Sequence, residues 1–138
     1  MKTKTFALSL IGILFLTSTT TITNFQSDKS EKLIGNWIWK TVIDAETNED
    51  LGIEMVTMGM ASEVKTEFKK DNTYIESKLR KGSTEYSNVN GEWKIENDEI
   101  LNLKAKDKWK PSKILKLSKD SLLLQMNPKM KLLMIRQK

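Results

Sequence analysis

The side chains that most often do chemistry are missing from this sequence. It contains no cysteine and no histidine. Without cysteine there is no disulfide, no thiolate nucleophile, no zinc finger and no lipidated N-terminal cysteine. Without histidine the commonest general base and the commonest metal ligand are gone. What remains are carboxylates: Glu54 with Glu63, and Glu96 with Asp98 and Glu99. Pairs like these serve acid–base chemistry only beside a nucleophile, a base or a phosphate-cradling loop, and none accompanies them. The second set also reads as a turn, where acidic residues are ordinary. The spaced acidic loop of a calcium hand is absent. The sequence therefore predicts a protein that is not an enzyme, with no metal and no cofactor.

Two other residue classes point to binding. Aromatic and sulfur side chains supply apolar contact area: Trp37, Trp39, Phe68, Trp93, Tyr74 and Tyr86, with Met55, Met58 and Met60 in one cluster and Met126, Met130 and Met134 in another. Methionine adapts to irregular surfaces, although filling core gaps is its commoner use. The second class is basic: Lys104, Lys106, Lys108, Trp109, Lys110, Lys113 and Lys116. A solvated loop is the first reading of this patch. An anionic surface contacted through Lys106, Lys108, Trp109 and Lys110 is the alternative. The formal charge is +5, and removing Lys2 and Lys4 with a leader leaves +3, too little to argue for nucleic acid.

The elements that must position these residues follow from periodicity. Residues 1–26 read as a signal peptide, with Lys2 and Lys4 ahead of an apolar run from Phe6 to Leu16. That run is too short to span a bilayer, which needs about 20 residues. Cleavage between Ser18 and Ser27 is expected, and with it export to the periplasm or medium; a retained N-terminal anchor is the alternative. Residues 27–138 then form one domain. It opens with a short helical turn at Ser27–Ile34, ended by Gly35. Strands are predicted over Asn36–Asp44, Glu63–Lys69, Thr73–Arg80, Thr84–Ile95, Glu99–Ala105, Lys113–Leu117, Ser121–Met126 and Met130–Arg136. Asn90-Gly91 is read as a bulge within one bent strand rather than a hairpin turn. Lys106–Ser112 is read as a basic loop. In the first strand Trp37, Trp39, Thr41 and Ile43 share one face by two-residue alternation. Leu51–Met60 is open between a short helix, an extra strand turn and an apolar flap folded over one end.

Eight short strands joined by tight turns make an antiparallel meander, and pairing the last strand with the first removes both free edges. The expected fold is all-β, an eight-stranded up-and-down barrel. Leu33-Ile34-Gly35-Asn36-Trp37, Phe68 to Tyr74 across one hairpin, Gly91 to Ile95 and the strand Glu99 to Leu103 together resemble the lipocalin-like domains of exported bacterial proteins, within the calycin group. The resemblance implies a barrel closed at one end, with Trp37 packed across that end after Gly35 and Arg136 laid over its ring. Eight strands enclose room for one small ligand, so the first expectation is an exported binding protein holding a small apolar or amphipathic, hydrophobic ligand in the barrel. Trp39, Met58, Phe68, Ile75, Trp93, Leu103 and Leu122 are the candidate lining residues. The competing expectation is a barrel packed solid, acting as a structural or protein-interaction domain.

Overall fold

Local side-chain chemistry sets the strand boundaries. Asp71 Oδ1 accepts from the Thr73 N–H at 3.1 Å and from Thr73 Oγ1 at 2.6 Å. Asn127 Oδ1 accepts from the N–H groups of Lys129 and Met130 at 2.9 and 3.0 Å. Both turns satisfy donors that the ladder cannot reach. Lys106 and Asp107 are both left-handed, with φ of 52° and 63°. That is the two-residue hairpin geometry whose twist matches the flanking strands.

The computed structural model describes residues 28–138. The signal-peptide reading of residues 1–26 lies outside them. A short helix, α1 (Asp28–Leu33), precedes eight strands: β1 (Gly35–Asp44), β2 (Ala61–Phe68), β3 (Thr73–Arg80), β4 (Tyr86–Glu96), β5 (Ile100–Ala105), β6 (Lys108–Leu117), β7 (Ser121–Asn127) and β8 (Met130–Arg136). A one-turn helix, α2 (Glu54–Thr57), interrupts the β1–β2 connection. The strands form a closed antiparallel barrel in sequence order. The seam runs from Trp37 opposite Arg136 to Asp44 opposite Met130.

Three sequence expectations are corrected. A bulge between Trp39 and Thr41 shifts the β1 register. It reverses the faces beyond it: Val42, not Thr41, continues the buried side begun by Trp37 and Trp39, and is fully buried in the core. β4 runs without a register shift from Tyr86 to Glu92 against β3, so Asn90-Gly91 is neither a hairpin nor a bulge. Gly91 instead makes room. A Cβ there would overlap the Tyr74 ring and the Lys104 carbonyl.

The third correction concerns Lys106–Ser112. Only Lys106-Asp107 turns, and Lys108 onward is strand, with Trp109 opposite Lys104 and Pro111 opposite Asn102. Proline is tolerated there for a geometric reason. The Ile114 N–H donates to Glu99, just before β5. Strand N–H groups alternate flanks, so position 111 points to the β7 side. β7 pairs with β6 only from Lys113 onward. The missing donor of Pro111 thus faces a flank with no ladder to complete.

The core is an aromatic and aliphatic layer inside the barrel. Trp37, Phe68, Tyr74, Trp93, Leu101, Leu122, Leu124, Leu132 and Met134 belong to one buried cluster. Phe68 meets Trp93 edge to face at a centroid distance of 6.0 Å, a favoured arrangement of ring quadrupoles. The Trp93 indole N–H donates to the Lys69 carbonyl at 3.0 Å.

Candidate functional site

Which side chains face the barrel interior follows from register, because residues directly opposite each other share a face. At the closed end Trp37 is fully buried and donates its indole N–H to the Leu33 carbonyl of α1 at 2.8 Å. The Arg136 guanidinium carbon lies 4.3 Å from the Trp37 ring centroid. Its nitrogens donate to the carbonyls of Lys119 at 2.6 Å, of Ile34 at 2.9 Å and of Lys32. Gly35 has φ of 135°, and a Cβ there would overlap Arg136 Nη1. This end is a floor knitted from α1, β1 and β8.

The seven candidate lining residues separate into four situations. Phe68, Trp93 and Leu122 are fully buried within the packed core. Trp39 and Leu103 are partly buried and packed against it, with the Trp39 indole N–H donating to Thr66 Oγ1 at 2.9 Å. Ile75 stands on the outer face: it is opposite Glu67, while its neighbour Tyr74 is opposite Phe68 and belongs to the core. Met58 follows α2 in a left-handed conformation and is 75% exposed.

The open end carries a different chemistry. Leu51 and Val56 of the segment before and within α2 pack against the core, and Thr57 is buried. Of the three readings left open for Leu51–Met60, the short helix is realised at its centre. The segment is tied down by Leu51 N–H to the Val42 carbonyl at 2.8 Å and by Lys81 N–H to the Met60 carbonyl at 2.9 Å. A cavity opens on each side of it. One, of about 530 Å³, is lined by Asp44, Leu51, Met55, Asn127, Pro128, Lys129 and Met130. The other, of about 230 Å³, is bordered by Val56, Met58, Met60 and Ala61 on one side and by Lys78, Arg80 and Ser87 on the other.

Lys78 and Arg80 reach that cavity because β3 inverts the usual pattern. Lys78 is opposite the buried Val64 and Arg80 is opposite the buried Ala61, so both share the inner face with Tyr74. Ile75 and Leu79 take the outer one. β6 does the same near its start. Leu103 faces Trp93 across the β4–β5 ladder and Lys110 across the β5–β6 ladder, and Ala105 faces Lys108. Lys108 and Lys110 therefore sit on the inner face, and Trp109 on the outer. Lys94 Nζ lies 4.4 Å and Lys104 Nζ 5.6 Å from the centroid of the Trp109 ring.

The electrostatics divide the same way. On the outer face Lys65 pairs with Glu63 at 3.0 Å, Lys94 with Glu96 at 3.1 Å and Lys104 with Glu92 at 3.3 Å. The Tyr86 hydroxyl donates to Glu63 Oε1 at 2.5 Å, and with Lys65 it holds the Glu63 carboxyl below the usual carboxylate range. At the mouth Lys78 pairs with Glu76 at 3.0 Å, while no ion pair among the described residues engages Arg80, Lys108 or Lys110. Burial pushes the Tyr74 hydroxyl up from its ordinary value, helped by Glu76 nearby. Among the described residues no three carboxylates come together as a metal site.

The mouth cations were missed because an apolar interior was assumed at every height. A signal was present: Tyr74, Glu76, Lys78 and Arg80 alternate with Ile75, Ser77 and Leu79, and fixing Tyr74 inward would have carried both cations in with it.

No family model matches the sequence, and no curated protein matches it. Among the solved structures that share its architecture are two from Bacteroides species. A lipocalin-like protein from Bacteroides uniformis is 15% identical, with a TM-score of 0.56 over 78% of this chain and 99% of that one. An uncharacterized protein from Bacteroides eggerthii is 10% identical, with a TM-score of 0.59 over 76% of this chain and 99% of that one. At such identities the likeness shows the fold alone: a closed, eight-stranded, lipocalin-like antiparallel barrel.

Proposed function

We propose that this lipocalin-like barrel is a non-catalytic binding protein that takes a small apolar or amphipathic molecule at its open end. The observation that carries the reading is the cavity of about 530 Å³ between the Leu51–Met55 stretch and the β7–β8 hairpin. Ligand sites are commonly about 300–1,000 Å³, mostly apolar, with a few polar groups that orient the ligand. Here Leu51, Met55, Pro128 and Met130 offer the apolar walls, and Asp44, Asn127 and Lys129 the polar rim. Methionines on both walls suit a ligand of variable shape. The ligand rests at the mouth, above the Phe68–Trp93 layer, because that layer already fills the lower barrel.

A second reading has its own support. The same solid layer is what a barrel built only for structure or protein contact would hold. Thermal unfolding separates the two. A neutral lipophile such as Nile red at concentrations far above its affinity raises the melting temperature if it binds only the folded state. A melting temperature that stays fixed, with no change in dye emission, removes the ligand-binding reading and leaves the structural one.

A further inference from the structure

We infer that Met55, Met58 and Met60 form an oxidation site, where hydrogen peroxide converts thioethers to sulfoxides and so loosens the hold of the barrel on an apolar ligand. The inference rests on the binding reading above and adds its regulation. Four observations support it.

The first is exposure. Met58 is 75% exposed, Met60 60% and Met55 56%. Met126 and Met130 are partly buried against the core, and Met134 is 2% exposed. One apolar side chain open to water needs no explanation. Three of a single type between positions 55 and 60 concentrate one chemistry on one segment. Oxidation of sulfur follows the access of the oxidant. The described methionines therefore divide into a fast group around α2 and a slow group on the β7–β8 hairpin.

The second is the absence of competing sulfur. The chain has no cysteine, so no thiolate intercepts the oxidant first. Each thioether reacts by the same balanced step. The sulfur lone pair attacks one peroxide oxygen, and the O–O bond breaks as the S–O bond forms. The departing hydroxide takes the proton left on the new sulfoxide oxygen and leaves as water. Sulfur is oxidised by the electron pair that peroxide gains.

The third is what these side chains border. Met55 borders the larger cavity with Leu51, Pro128 and Met130. Met58 and Met60 border the smaller one with Val56 and Ala61. A sulfoxide replaces a flexible apolar group with a strong dipole. An apolar ligand cannot answer that dipole with a hydrogen bond, and its own burial removes the water that could. One segment thus alters the walls of two cavities.

The fourth is that the segment is held by other groups. The Gly59 N–H donates to the Glu54 carbonyl at 3.1 Å, the Met60 N–H to the Thr57 carbonyl at 3.0 Å, and the Lys81 N–H to the Met60 carbonyl at 2.9 Å. Thr57 Oγ1 donates to the Ile53 carbonyl at 3.1 Å, and Val56 packs against the core. None of these ties uses a thioether. Oxidation can change the cavity walls and leave the frame in place. Methionine sulfoxide is also open to enzymatic reduction, so the change is reversible.

The test treats the full chain with hydrogen peroxide, removes the excess with catalase, maps the oxygen by peptide mass spectrometry and titrates with Nile red. The expected result is that Met55, Met58 and Met60 oxidise about tenfold or more faster than Met134, with Met126 and Met130 between. Nile red affinity should then fall about tenfold, with the circular dichroism unchanged. Reduction by methionine sulfoxide reductases for both epimers should restore it. In concentrated urea all six should oxidise at similar rates. With Met55→Leu, Met58→Leu and Met60→Leu combined, affinity should be the same before and after peroxide, whatever its starting value. With Met126→Leu and Met130→Leu combined, peroxide should still lower it. Met130 or Met134 oxidising as fast as Met58 overturns the site. Full oxidation of the three with unchanged affinity overturns the regulation while the binding reading stands, and so does a loss that persists in the triple variant or that comes with lost circular dichroism. Untreated protein that does not take up Nile red overturns the binding reading and its regulation together.

Discussion

Replacing Arg136 with methionine should remove the clasp of the barrel floor while keeping the length of the side chain. The guanidinium makes three hydrogen bonds to main-chain carbonyls, of Lys32, Ile34 and Lys119, which come from two segments distant in sequence. Bonds from a charged donor contribute about 1.5–3 kcal/mol when buried. Here the group is half-exposed, so about 1 kcal/mol each is the better figure after water competes. The contact with Trp37 at 4.3 Å adds about 1 kcal/mol. Arg136→Met should therefore destabilise the fold by about 3–4 kcal/mol, a large share of the 5–15 kcal/mol typical of a domain. With a urea slope of about 2 kcal/mol per molar, the midpoint followed by tryptophan emission should fall by about 1.5–2 M. Arg136→Lys keeps a cation over the ring but loses the fork, and should lie roughly midway. A cycle with Trp37→Phe isolates the ring contact, with an expected coupling of about 0.5–2 kcal/mol. A loss below 1 kcal/mol for Arg136→Met, or no coupling to Trp37, would refute the assignment of the floor as a stabilising clasp.

Gly35→Ala should cost about 2–4 kcal/mol in the same urea assay, since the backbone at φ 135° strains any side chain and the new Cβ displaces Arg136 Nη1. In the Arg136→Met background the steric part of that cost should shrink. The buried Tyr74 hydroxyl gives a pH signature. Its ionisation is pushed above the ordinary value of 10.0 by burial and by Glu76. A group raised in the folded state lends stability that is fully present below its unfolded value and is lost as pH rises past it. The melting temperature should thus drop as pH climbs above 10, and Tyr74→Phe should flatten that drop.

Strand count, order and closure were legible in the sequence because short alternating runs were separated by strong turn chemistry. Asp71-Asn72 and Asn127-Pro128-Lys129 are examples whose side chains do satisfy the turn backbone. Less legible was anything that depended on which side of the wall a residue took. A single bulge at Lys40 put Thr41 on the outer face, where it stays buried and donates to Asp50, and brought Val42 to the inner one. Periodicity cannot announce such a slip, because one inserted residue leaves the local composition unchanged. Lys108–Ser112 looked like a loop because lysines and a proline disfavour strands. Its unpaired flank made that chemistry acceptable. Ile75 looked like an interior residue because it is apolar, but its partner across the ladder is Glu67.

The seam between β1 and β8 also governs the order in which the molecule can be made. Trp37 finds its ladder partner at Arg136, and Gln137 N–H reaches back to the Asn36 carbonyl. Until β8 docks, the sheet has two raw strand borders and the Trp37 ring lacks Arg136, whatever the hairpins have already achieved. Contacts so remote in sequence form late and slowly. The vulnerable period for this protein is therefore the interval before β8 pairs with β1, when a chaperone or a neighbouring copy meets the open ring.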